Sequence, residues 1–574
     1  MSETRETQVL VIGGSLIGLT CSLLLSSLGI EHVLVDRRPH PSDHPRARLY
    51  DRRTMELLRR FGVQREVEAT GIGDLWTRQN RWIHSLTGPQ IAQVPTESFQ
   101  MAPVDYSPSM PVMGAQDLIE ETLWQAAREQ PTADVRYYTS AEDLEQDAEG
   151  CVANLRDRDT DRVEPIRARY VVAADGVHSA TRELIGCPLG GQTFDVYMQD
   201  ILFQADLSRW VGNRVGGLLF MLTRYGMGVY QPMDGTLRWR VQLPNWDPER
   251  GDLPVETARE YIVEAVGVDA SELDLEIQSI RPWRFIAGLS RHFSNGRIFL
   301  AGDAAHAFIP TGGMGSNAGF SGAHNLTWKL AYVLLGHAHA SLLDTYEQEH
   351  RPVAEHRVAL SIENGQLAAN IVRTYMNGGD MAVAERNCHQ YGSYEGMIMA
   401  YEYRSALCQA ETEPPPAVEN EHRDFVPVVR GGRRAPHAWL DPHRTISTLD
   451  WFGTDYVVML CRDEQAEQSA WRSAVDDYRA RGFPIRIEQM RHAANTPYAG
   501  SGAVVVRPDG VVAAHTTLGD SRSPQELLDR YLPTRATPLA TLFPSPPAPA
   551  GGEMTLSRAR PCRDSASIGA WDHD

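Results

Sequence analysis

Short apolar runs recur along the first 300 residues, and each of them ends beside a glycine or an aspartate. Runs of four or five apolar residues bounded in this way are typical of buried strands. Helical patterns separate the runs, so the chain is predicted to form an α/β fold with an open sheet, whose ligands bind outside the carboxyl ends of the strands. The four runs are Val9–Ile12, His32–Val35, Tyr170–Ala174 and Ile298–Ala301.

Apolar residues spaced three or four apart predict the helices of this fold. The helix that begins near Asn317 follows a glycine-rich loop. Its free N–H groups and the positive end of its dipole are therefore available to an anion. The predicted helices are a run from Gly18 to Leu28, one from about Arg53 to Phe61, one over Asp117–Arg128 that Gln116 opens, and the one from about Asn317.

Residues 188–280 are predicted to form strands and turns, because residues Leu237–Leu243 alternate as in a sheet with one covered face. Residues 81–104 are expected to join this sheet and roof a cavity. An apolar, aromatic lining suits a flat polycyclic ligand, although any one of these residues can equally belong to the core. The candidates for the lining are Phe220, Met221, Tyr230, Trp239, Trp283, Phe308 and Pro310.

The last third of the chain shows a change of pattern. A long helical region is predicted from Arg351 to about Leu407, and the proline run after Glu413 indicates a linker. Strands and helices then alternate, and residues 540–574, rich in Pro, Ser and Ala, are predicted to be disordered. The later elements are the strand Tyr456–Leu460, a helix over about Ala466–Arg481, the strand Pro484–Ile487 and the strand Gly502–Val506.

Composition narrows the function classes. The chain of 574 residues carries a formal net charge of -19, which argues against a nucleic-acid partner. Its seven cysteines form no CxxC pair, and neither a disulfide framework nor a metal site is expected. No signal peptide and no membrane-spanning run are recognisable. A cytoplasmic protein without a membrane partner is therefore expected.

The first strand and helix enclose a dinucleotide fingerprint. The loop Gly13-Gly14-Ser15-Leu16-Ile17-Gly18 lies between them, and Asp36 ends the next strand, where it can accept a ribose hydroxyl. Ser15 replaces the middle glycine of the fingerprint, and its hydroxyl is able to bond a phosphate. A plain βαβ unit is the alternative interpretation.

Two further strand ends carry aspartates. Asp175-Gly176 is followed by Ser179 and Arg182, and Gly302-Asp303 precedes a loop with glycines at 312, 313 and 315. Glycines let the backbone approach a flat ligand. A polyol chain and a ring that becomes negative, as in a flavin, fit these groups. Arg46 and Arg48 are candidate cations, between which spacing does not choose.

With these motifs the chain resembles the class A flavoprotein monooxygenases of the para-hydroxybenzoate hydroxylase type. The family's PxGGxGxN loop is Pro310–Asn317 and its NLxWKL helix is Asn325–Leu330. The resemblance covers about residues 1–360. The C-terminal extension and the phrase Arg433–Leu440 look like the bacterial aromatic polyketide hydroxylases and phenol hydroxylases. One departure is Ser321-Gly322, where most relatives carry Gln-Asp.

The resemblance implies roles for individual residues. Asp36 would hold the adenosine ribose, Asp303 the ribityl chain, and Asp175 would serve both FAD and NAD(P)H. Arg46 and Gln116 would contact FAD, and Ser316 and Asn317 would lie at the flavin ring. The full set implied for FAD is Gly13, Gly14, Ser15, Leu16, Ile17, Gly18, Asp36, Arg37, Arg46, Gln116, Asp175, Gly302, Asp303, Gly313, Gly315, Ser316 and Asn317.

The resemblance also implies the domain organisation. A Rossmann-like FAD-binding domain is expected over residues 1–187 and 281–412, with a β-sheet substrate domain over 188–280 inserted in it. A thioredoxin-like C-terminal domain is expected over residues 413–535, followed by a disordered tail over 536–574. The C-terminal domain has no CxxC pair, so we expect it to support packing or a dimer rather than to exchange disulfides. The protein is expected to be a homodimer or a monomer.

The implied activity is an FAD-dependent monooxygenation. FAD would be reduced by NADPH or NADH, which binds transiently because no second fingerprint is present, and would react with O2 to a C4a-hydroperoxide that hydroxylates a polycyclic aromatic polyketide. No catalytic base is identified, although His306 and His324 lie near the loop. Two alternatives stay open: a Baeyer–Villiger oxygen insertion, and a non-catalytic flavin-binding partner protein, which Ser15 and Gly322 make conceivable.

Overall fold

A computed structural model describes most of the chain. The described residues are 4–95, 103–244, 246, 251–380, 382–383, 386, 394–491, 493–517 and 519–534. The predicted disordered tail and most of the segment 96–104 lie outside them. No helix in these ranges is both long enough and apolar enough to cross a lipid bilayer.

Up to residue 187 the chain contains ten strands and six helices in the described ranges. The strands are β1 (Arg5–Ile12), β2 (His32–Asp36), β3 (Leu49–Tyr50), β4 (Gln79–Ile83), β5 (Gln90–Pro95), β6 (Val112–Met113), β7 (Ala133–Tyr137), β8 (Thr139–Gln146), β9 (Cys151–Asp157) and β10 (Val163–Ala173). The helices are α1 (Leu16–Ser27), α2 (Arg52–Arg60), α3 (Gln64–Ala69), α4 (Asp74–Thr77), α5 (Gln116–Arg128) and α6 (Ala180–Leu184).

The middle of the chain is richer in strands and ends in two long helices. Its strands are β11 (Leu189–Gln204), β12 (Leu218–Thr223), β13 (Gly226–Pro232), β14 (Arg238–Pro244), β15 (Glu276–Ser290), β16 (Ser294–Asn295), β17 (Ile298–Leu300) and β18 (His306–Ala307). Its helices are α7 (Ser208–Val211), α8 (Val255–Val266), α9 (Met314–Leu334) and α10 (Thr345–Met376).

The first sheet is the open α/β sheet that the apolar runs predict. Its strand order is β16-β17-β10-β1-β2-β7, and β8 and β9 extend it beside β10. All pairs from β17 to β7 are parallel. Helices α1 and α9 pack together, and a Cβ on Gly319 would lie 2.6 Å from Ile17 Cδ1. The two helices approach each other so closely that only glycine fits at position 319. Both helices start at the carboxyl edge of the sheet.

The second sheet has the order β18-β15-β11-β14-β13-β12-β4-β5. Strands β4 and β5 join it, as the prediction for the segment from residue 81 requires. Strand β15 continues it beyond residue 280, so the expected domain boundary at 280/281 falls inside a strand. Helix α8, which the reading of residues 188–280 as strands and turns missed, covers one face with Ala258, Ile262 and Ala265.

The two faces of this sheet differ from the sequence expectation. Met221, Tyr230 and Trp239 are buried in the core that α8 closes, and the Tyr230 hydroxyl donates to Tyr261 O at 3.3 Å. The prediction that these three residues line the cavity is wrong. Successive residues of a strand point to opposite faces of the sheet, and these three point to the outer face that α8 covers. The inner face, which looks toward the first sheet, instead carries a set of their strand neighbours: Phe220, Gln231, Arg240 and Gln242.

The C-terminal part contains a small third sheet. Its elements are α11 (Glu395–Met399), β19 (Tyr456–Leu460), α12 (Gln465–Ala480), β20 (Ile485–Gln489), β21 (Ser501–Val506), β22 (Val512–Thr517) and α13 (Pro524–Tyr531). The strand order is β20-β19-β21-β22, with β19 and β20 parallel and the other pairs antiparallel. This βαβ unit followed by a hairpin and a helix is the thioredoxin-like arrangement.

The long helical region is shorter than predicted. Helix α10 ends at Met376, residues 382, 383 and 386 are again helical, and a short helix spans Glu395–Met399, whereas residues 400–407 contain no helix. Gly378 follows with a positive φ of 63°, a conformation that ends a helix readily. Pro352 lies inside α10, within its second turn.

Candidate functional site

Three aspartates stand at the carboxyl edge of the first sheet. Asp36 ends β2, Asp175 follows β10, and Asp303 follows β17. These strands and β1 are consecutive neighbours in the sheet. With neighbouring strands about 4.8 Å apart, the three aspartates span about 15 Å along one edge. The edge therefore presents carboxylates along a line that an extended dinucleotide can follow.

The fingerprint loop at the centre of this edge is built on close backbone contacts. A Cβ on Gly13 would overlap the carbonyl oxygen of Ala174, and one on Gly18 would overlap the carbonyl oxygen of Gly13. The Gly14 N–H donates to Asp36 Oδ2 at 2.6 Å. Loop, first helix and second strand are thereby held together, as a dinucleotide site requires.

The Ser15 hydroxyl is directed away from a phosphate. It donates to Glu120 Oε2 at 2.9 Å, so it is already bonded within the protein. Ser15 precedes α1, and no side chain caps the first turn of that helix. The backbone N–H groups at the start of α1 can therefore bind a pyrophosphate, although the middle glycine is missing.

Glu120 and Arg38 are two site residues that the motif analysis missed. Glu120 is fully buried, and it accepts from Gln116 Nε2 at 2.9 Å and from Ser42 N at 3.0 Å. Arg38 bonds both oxygens of Asp36, at 3.1 and 2.9 Å, and lies 3.2 Å from Glu120. Burial opposes the charge of Arg38, but the two carboxylates outweigh it and raise the pKa of the guanidinium. The spacing of Gln116 and Glu120, one helical turn apart, was the available signal.

The structure separates the roles of Arg46 and Arg48. Arg48 is buried, and it donates to the carbonyl oxygens of Pro232, at 2.8 Å, and Gly217. Burial, with repulsion from Arg240, lowers the pKa of Arg48 to about 9. Arg48 therefore fastens the short β3–β6 pair to the second sheet.

The side chain of Arg46 is exposed, and its charge acts on Asp303. Its backbone is fixed by Arg240, which donates to Arg46 O at 2.7 Å and pairs with Asp200. Of the two candidate arginines, Arg46 is thus the one available to a ligand in the cleft.

Asp303 forms no ion pair with any residue that the structure describes. Its side chain is solvent-accessible but is surrounded by protein on the walls of the cleft, and this burial raises its pKa to about 6 against the opposing charge of Arg46. A Cβ on Gly315 would lie 3.9 Å from Asp303 Oδ1, so the backbone of α9 passes close to the carboxylate. No side chain caps α9, which begins at Met314, three residues before the predicted start.

Two residues expected at the flavin use their side chains within the protein. Asn317 accepts from Asp51 N at 3.0 Å and donates to Leu49 O at 2.9 Å. Gln116 Oε1 accepts from Ala47 N at 2.7 Å. Asn317 and Gln116 therefore hold the loop around Arg46 and the start of α2, and Asn317 has only its backbone to offer a ligand.

Asp175 retains an unused oxygen. Its Oδ2 accepts from Thr181 N at 3.2 Å, whereas its Oδ1 is buried and has no hydrogen-bond partner among the described residues. Nearby, Arg182 donates to Val177 O at 2.8 Å and to Ala304 O at 3.3 Å. The second and third motifs are thereby fastened to each other.

Aromatic side chains surround the space between the two sheets. Trp82 and Phe220 stack on the inner face with ring centroids 4.5 Å apart, and Trp283 lies 5.1 Å from Phe285. Phe308 is half-buried and Pro310 is exposed at the loop that precedes α9. The structure therefore keeps Phe220, Trp283, Phe308 and Pro310 as lining candidates.

The histidines near the loop are structural. His306 and His350 are both buried, with their Nε2 atoms 3.2 Å apart, and burial lowers the pKa of His306 to about 3. A Cβ on Gly322 would lie 2.6 Å from His350 Nε2. The departure at Gly322 thus makes room for a histidine ring. Burial lowers the pKa of His324 well below its ordinary value, with a contribution from Arg60.

These residues fit FAD. The uncapped starts of α1 and α9 suit a pyrophosphate and a flavin ring that becomes negative, and the accessible Asp303 and the unused oxygen of Asp175 suit hydroxyl donors. At Gly315 the backbone of α9 lies beside Asp303 without a side chain in between.

Comparison with known proteins agrees with this fit. The FAD binding domain family matches residues 6–361, and the aromatic-ring hydroxylase C-terminal family matches residues 429–534. A putative polyketide hydroxylase of Streptomyces halstedii is 32% identical over 532 residues, covering 89% of this chain and 93% of that protein. Aklavinone 12-hydroxylase RdmE of Streptomyces purpurascens is 32% identical over 536 residues, covering 89% and 96%.

Among solved structures, the flavin-dependent monooxygenase PieE in complex with FAD and substrate has the same fold. The TM-score is 0.82 at 26% identity, and the match covers 94% of this chain and 99% of PieE. The match extends through all three sheets described above.

Arg38 provides the first test of the site. Replacing it with methionine leaves Asp36 and Glu120 without their shared cation beside the pyrophosphate, so R38M should bind FAD roughly tenfold more weakly, a difference of about 1.4 kcal/mol. Adding Glu120→Gln should recover most of the affinity. Titration of the apoprotein with FAD, followed by flavin fluorescence, measures this. The exposed Arg158 serves as the control, and equal effects of R38M and R158M would contradict the charge argument.

Asp303 provides a pH-dependent test. Its folded pKa of about 6 lies above the unfolded value of 3.8, so the ionised carboxylate destabilises the apoprotein above pH 6 and the penalty fades as the pH falls toward 4. D303N apoprotein should therefore resist denaturant better than wild type at pH 7.5, by a margin that shrinks at pH 5, while binding FAD more weakly. Urea unfolding at both pH values measures the margin, with Asp159→Asn as an exposed control. A margin that does not vary with pH would refute this assignment.

Proposed function

The chain belongs to the FAD-dependent aromatic-ring hydroxylases, and from this premise we propose that it hydroxylates a polycyclic aromatic polyketide. It is a monooxygenase that uses FAD, O2 and NAD(P)H. The observation that carries the proposed substrate class is the inner face of the second sheet, where stacked aromatic rings flank a buried polar pair. The named activities of the relatives over nearly the whole chain support the same class.

The residues at the sheet edge bind and orient the cofactor. When bound, FAD supplies the chemistry, taking electrons from NAD(P)H and activating O2 for transfer of one oxygen atom to the ring. Asp303 would accept hydrogen bonds from the hydroxyl groups of the ribityl chain, and the uncapped start of α9 would stabilise the negative charge of a reduced flavin ring. A charge at a helix end gains about 0.3–2 kcal/mol. Arg46 adds a cation on the same side of the cleft.

An apolar cluster keeps water from the reacting atoms. Met113, Met314, Leu360 and Tyr394 are buried together beside the loop, with Phe308 packed against them. Exclusion of water strengthens the electrostatic interactions inside a site and suppresses hydrolytic side reactions. His306 is buried and His324 is half-buried, and the pKa of each is lowered, so both stay neutral and we do not assign them a proton-transfer role.

Gln231 and Gln242 are the polar pair on the inner face. Both are buried, and Gln231 Nε2 donates to Gln242 Oε1 at 3.3 Å. This bond uses one donor and one acceptor, so the pair presents an acceptor from one glutamine and a donor from the other, whichever way the amides are turned. A carbonyl and a hydroxyl on one edge of a polyketide match such a pair. We propose that these glutamines orient the substrate over the flavin.

The domain division follows from the same premise. Residues 1–187 and 281–412 are proposed to bind FAD, residues 188–280 to cover the substrate, and residues 413–535 to form the C-terminal domain. Strand β15 pairs with β11 over its whole length and with β18 at Gly288 and Leu289, so the second sheet itself extends beyond the proposed boundary at residue 280.

The activity is tested by NAD(P)H oxidation. The FAD-loaded protein should oxidise NADPH or NADH several-fold faster in the presence of tetracyclic polyphenols than with monocyclic phenols, because the inner face suits a large flat ring system. Mass spectrometry after reaction under 18O2 should show one labelled oxygen in a hydroxyl group. An ester or lactone product would instead establish a Baeyer–Villiger insertion, and a basal rate that no polyphenol raises would refute the proposal.

The glutamine pair is tested by substitution. Q231L and Q242L remove the donor or acceptor that meets the substrate, so each should raise KM for the aromatic substrate by roughly tenfold, the factor that about 1.4 kcal/mol of lost binding represents. Steady-state kinetics with product quantification measures both KM and coupling. Tyr230→Phe, on the opposite face of the same strand, is the matched control. Unchanged KM in both glutamine variants would remove them from the substrate site.

A further inference from the structure

A buried charge cluster joins α9, called the flavin helix because we propose that the flavin lies at its start, to the C-terminal domain. It consists of Lys329 on α9, Glu349 on α10, and Arg507 and Asp509 in the turn after β21. All four side chains are buried, with at most 3% of any residue exposed. The cluster thus brings two cations and two anions from three segments of the chain into one interior site.

Glu349 is the centre of the cluster. It lies 2.8 Å from Lys329 Nζ and 2.7 and 3.0 Å from the two Nη atoms of Arg507, and it accepts from Asn325 Nδ2 at 2.7 Å and Ser405 Oγ at 2.5 Å. Burial alone would raise the pKa of Glu349, but Arg507 and Lys329 lower it well below the ordinary value. The carboxylate is therefore ionised and fully bonded.

Arg507 connects this centre to its own domain. Its Nε and Nη2 bond Asp509, at 3.0 and 2.5 Å, and its guanidinium carbon lies 5.2 Å from the ring centroid of Trp328 on α9. Every edge of the guanidinium is thus in use. Removing Arg507 leaves both Glu349 and Asp509 short of a cation.

Two further contacts fix the same helices. Arg434 of the C-terminal part pairs with Glu56 on α2, its Nε at 2.9 Å from Oε2, and both are buried. Tyr332 on α9 donates to Thr454 O at 2.9 Å. The C-terminal domain therefore contacts both α2 and α9. These two helices are also bonded to each other, because Asn317 at the start of α9 accepts from Asp51 N at the start of α2.

A contribution to stability alone does not account for such a cluster. Buried ion pairs are often replaced by apolar residues at no loss of stability, whereas polar groups inside a core can specify one register. Here Lys329 and Asn325 can both bond Glu349 only when α9 takes one particular position along its axis relative to α10. Gly315 lies ten residues toward the N-terminus of α9 from Asn325, about 15 Å along a rigid helix. A shift at the cluster therefore becomes a shift at the flavin.

We infer that the C-terminal domain sets the position of the flavin helix through this cluster, with Arg507 as the positioning residue. The inference rests on the proposed placement of the flavin at the start of α9. It gives the thioredoxin-like domain, which has no CxxC pair, a role in tuning the bound cofactor. That role is electrostatic, because the position of the helix start determines the potential that the flavin ring meets.

The test uses the FAD-loaded full chain and measures the midpoint potential of the flavin together with the thermal midpoint of unfolding. Four variants are compared: R507M, R507K, R507M combined with Glu349→Gln, and the control R522M, at an arginine on the surface of the same domain. R507M should lower the preference for reduced over oxidised flavin by roughly tenfold, about 30 mV for a two-electron couple. R507K keeps the positive charge and should therefore show a smaller shift of the potential than R507M. R522M should leave the potential unchanged.

The double variant separates positioning from stability. It removes one of the two carboxylates that R507M leaves short of a cation, so the cluster keeps one cation, Lys329, and one anion, Asp509. Part of the lost thermal midpoint should therefore return, but the potential should stay shifted, because the contact between Arg507 and Glu349 that fixes α9 is still missing. A potential that returns with stability in the double variant, or that never differs from wild type, would overturn the inference while leaving the proposed function intact. A wild-type protein that holds no FAD would instead refute the proposed function. If R507M does not fold, R507K and the double variant give the same comparison.

Discussion

Parallel pairing of β10, β1 and β2 is the constraint on which the site depends. The pairing brings the ends of strands that are far apart in sequence to one edge, and the contact of Gly13 with Ala174 fixes the loop that lies there. This arrangement, with β17 beside β10, brings Asp36, Asp175 and Asp303 to one edge, where we propose that they meet a common ligand. The dipoles of α1 and α9 point at the same edge, because both helices start from it.

Charge balance in the interior organises the rest of the molecule. Arg38 neutralises Asp36 and Glu120 at the adenosine end, and Arg240 pairs with Asp200 beneath the loop of Arg46. The chain is acidic overall, yet several of its arginines are buried as partners of carboxylates. Arg48 is the contrasting case, since its described hydrogen bonds are to carbonyl oxygens and a sulfur.

The second sheet serves two purposes with its two faces. The outer face packs against α8 and makes the core of that part of the chain. The inner face combines aromatic rings with buried amides, a composition suited to a flat, oxygenated ligand. The same strands therefore supply stability on one side and recognition on the other, and substitutions at adjacent positions are expected to have unrelated effects.

The sequence by itself determined the open α/β sheet, the fingerprint, the aspartates at three strand ends and the order of strands and helices in the last elements, which the family resemblance identifies as thioredoxin-like. Each of these depends on residues close together in the chain, and local patterns record them. Tertiary structure decided that Arg46 rather than Arg48 meets the cleft, that Met221, Tyr230 and Trp239 face the core, and that Ser15 bonds Glu120. Alternation of apolar and polar residues along a strand shows which side chains share a face. It does not identify the face that points to the cavity when both faces of the sheet are covered. The pairing of Glu349 with Arg507 joins residues 158 positions apart, a distance over which no local pattern specifies a partner.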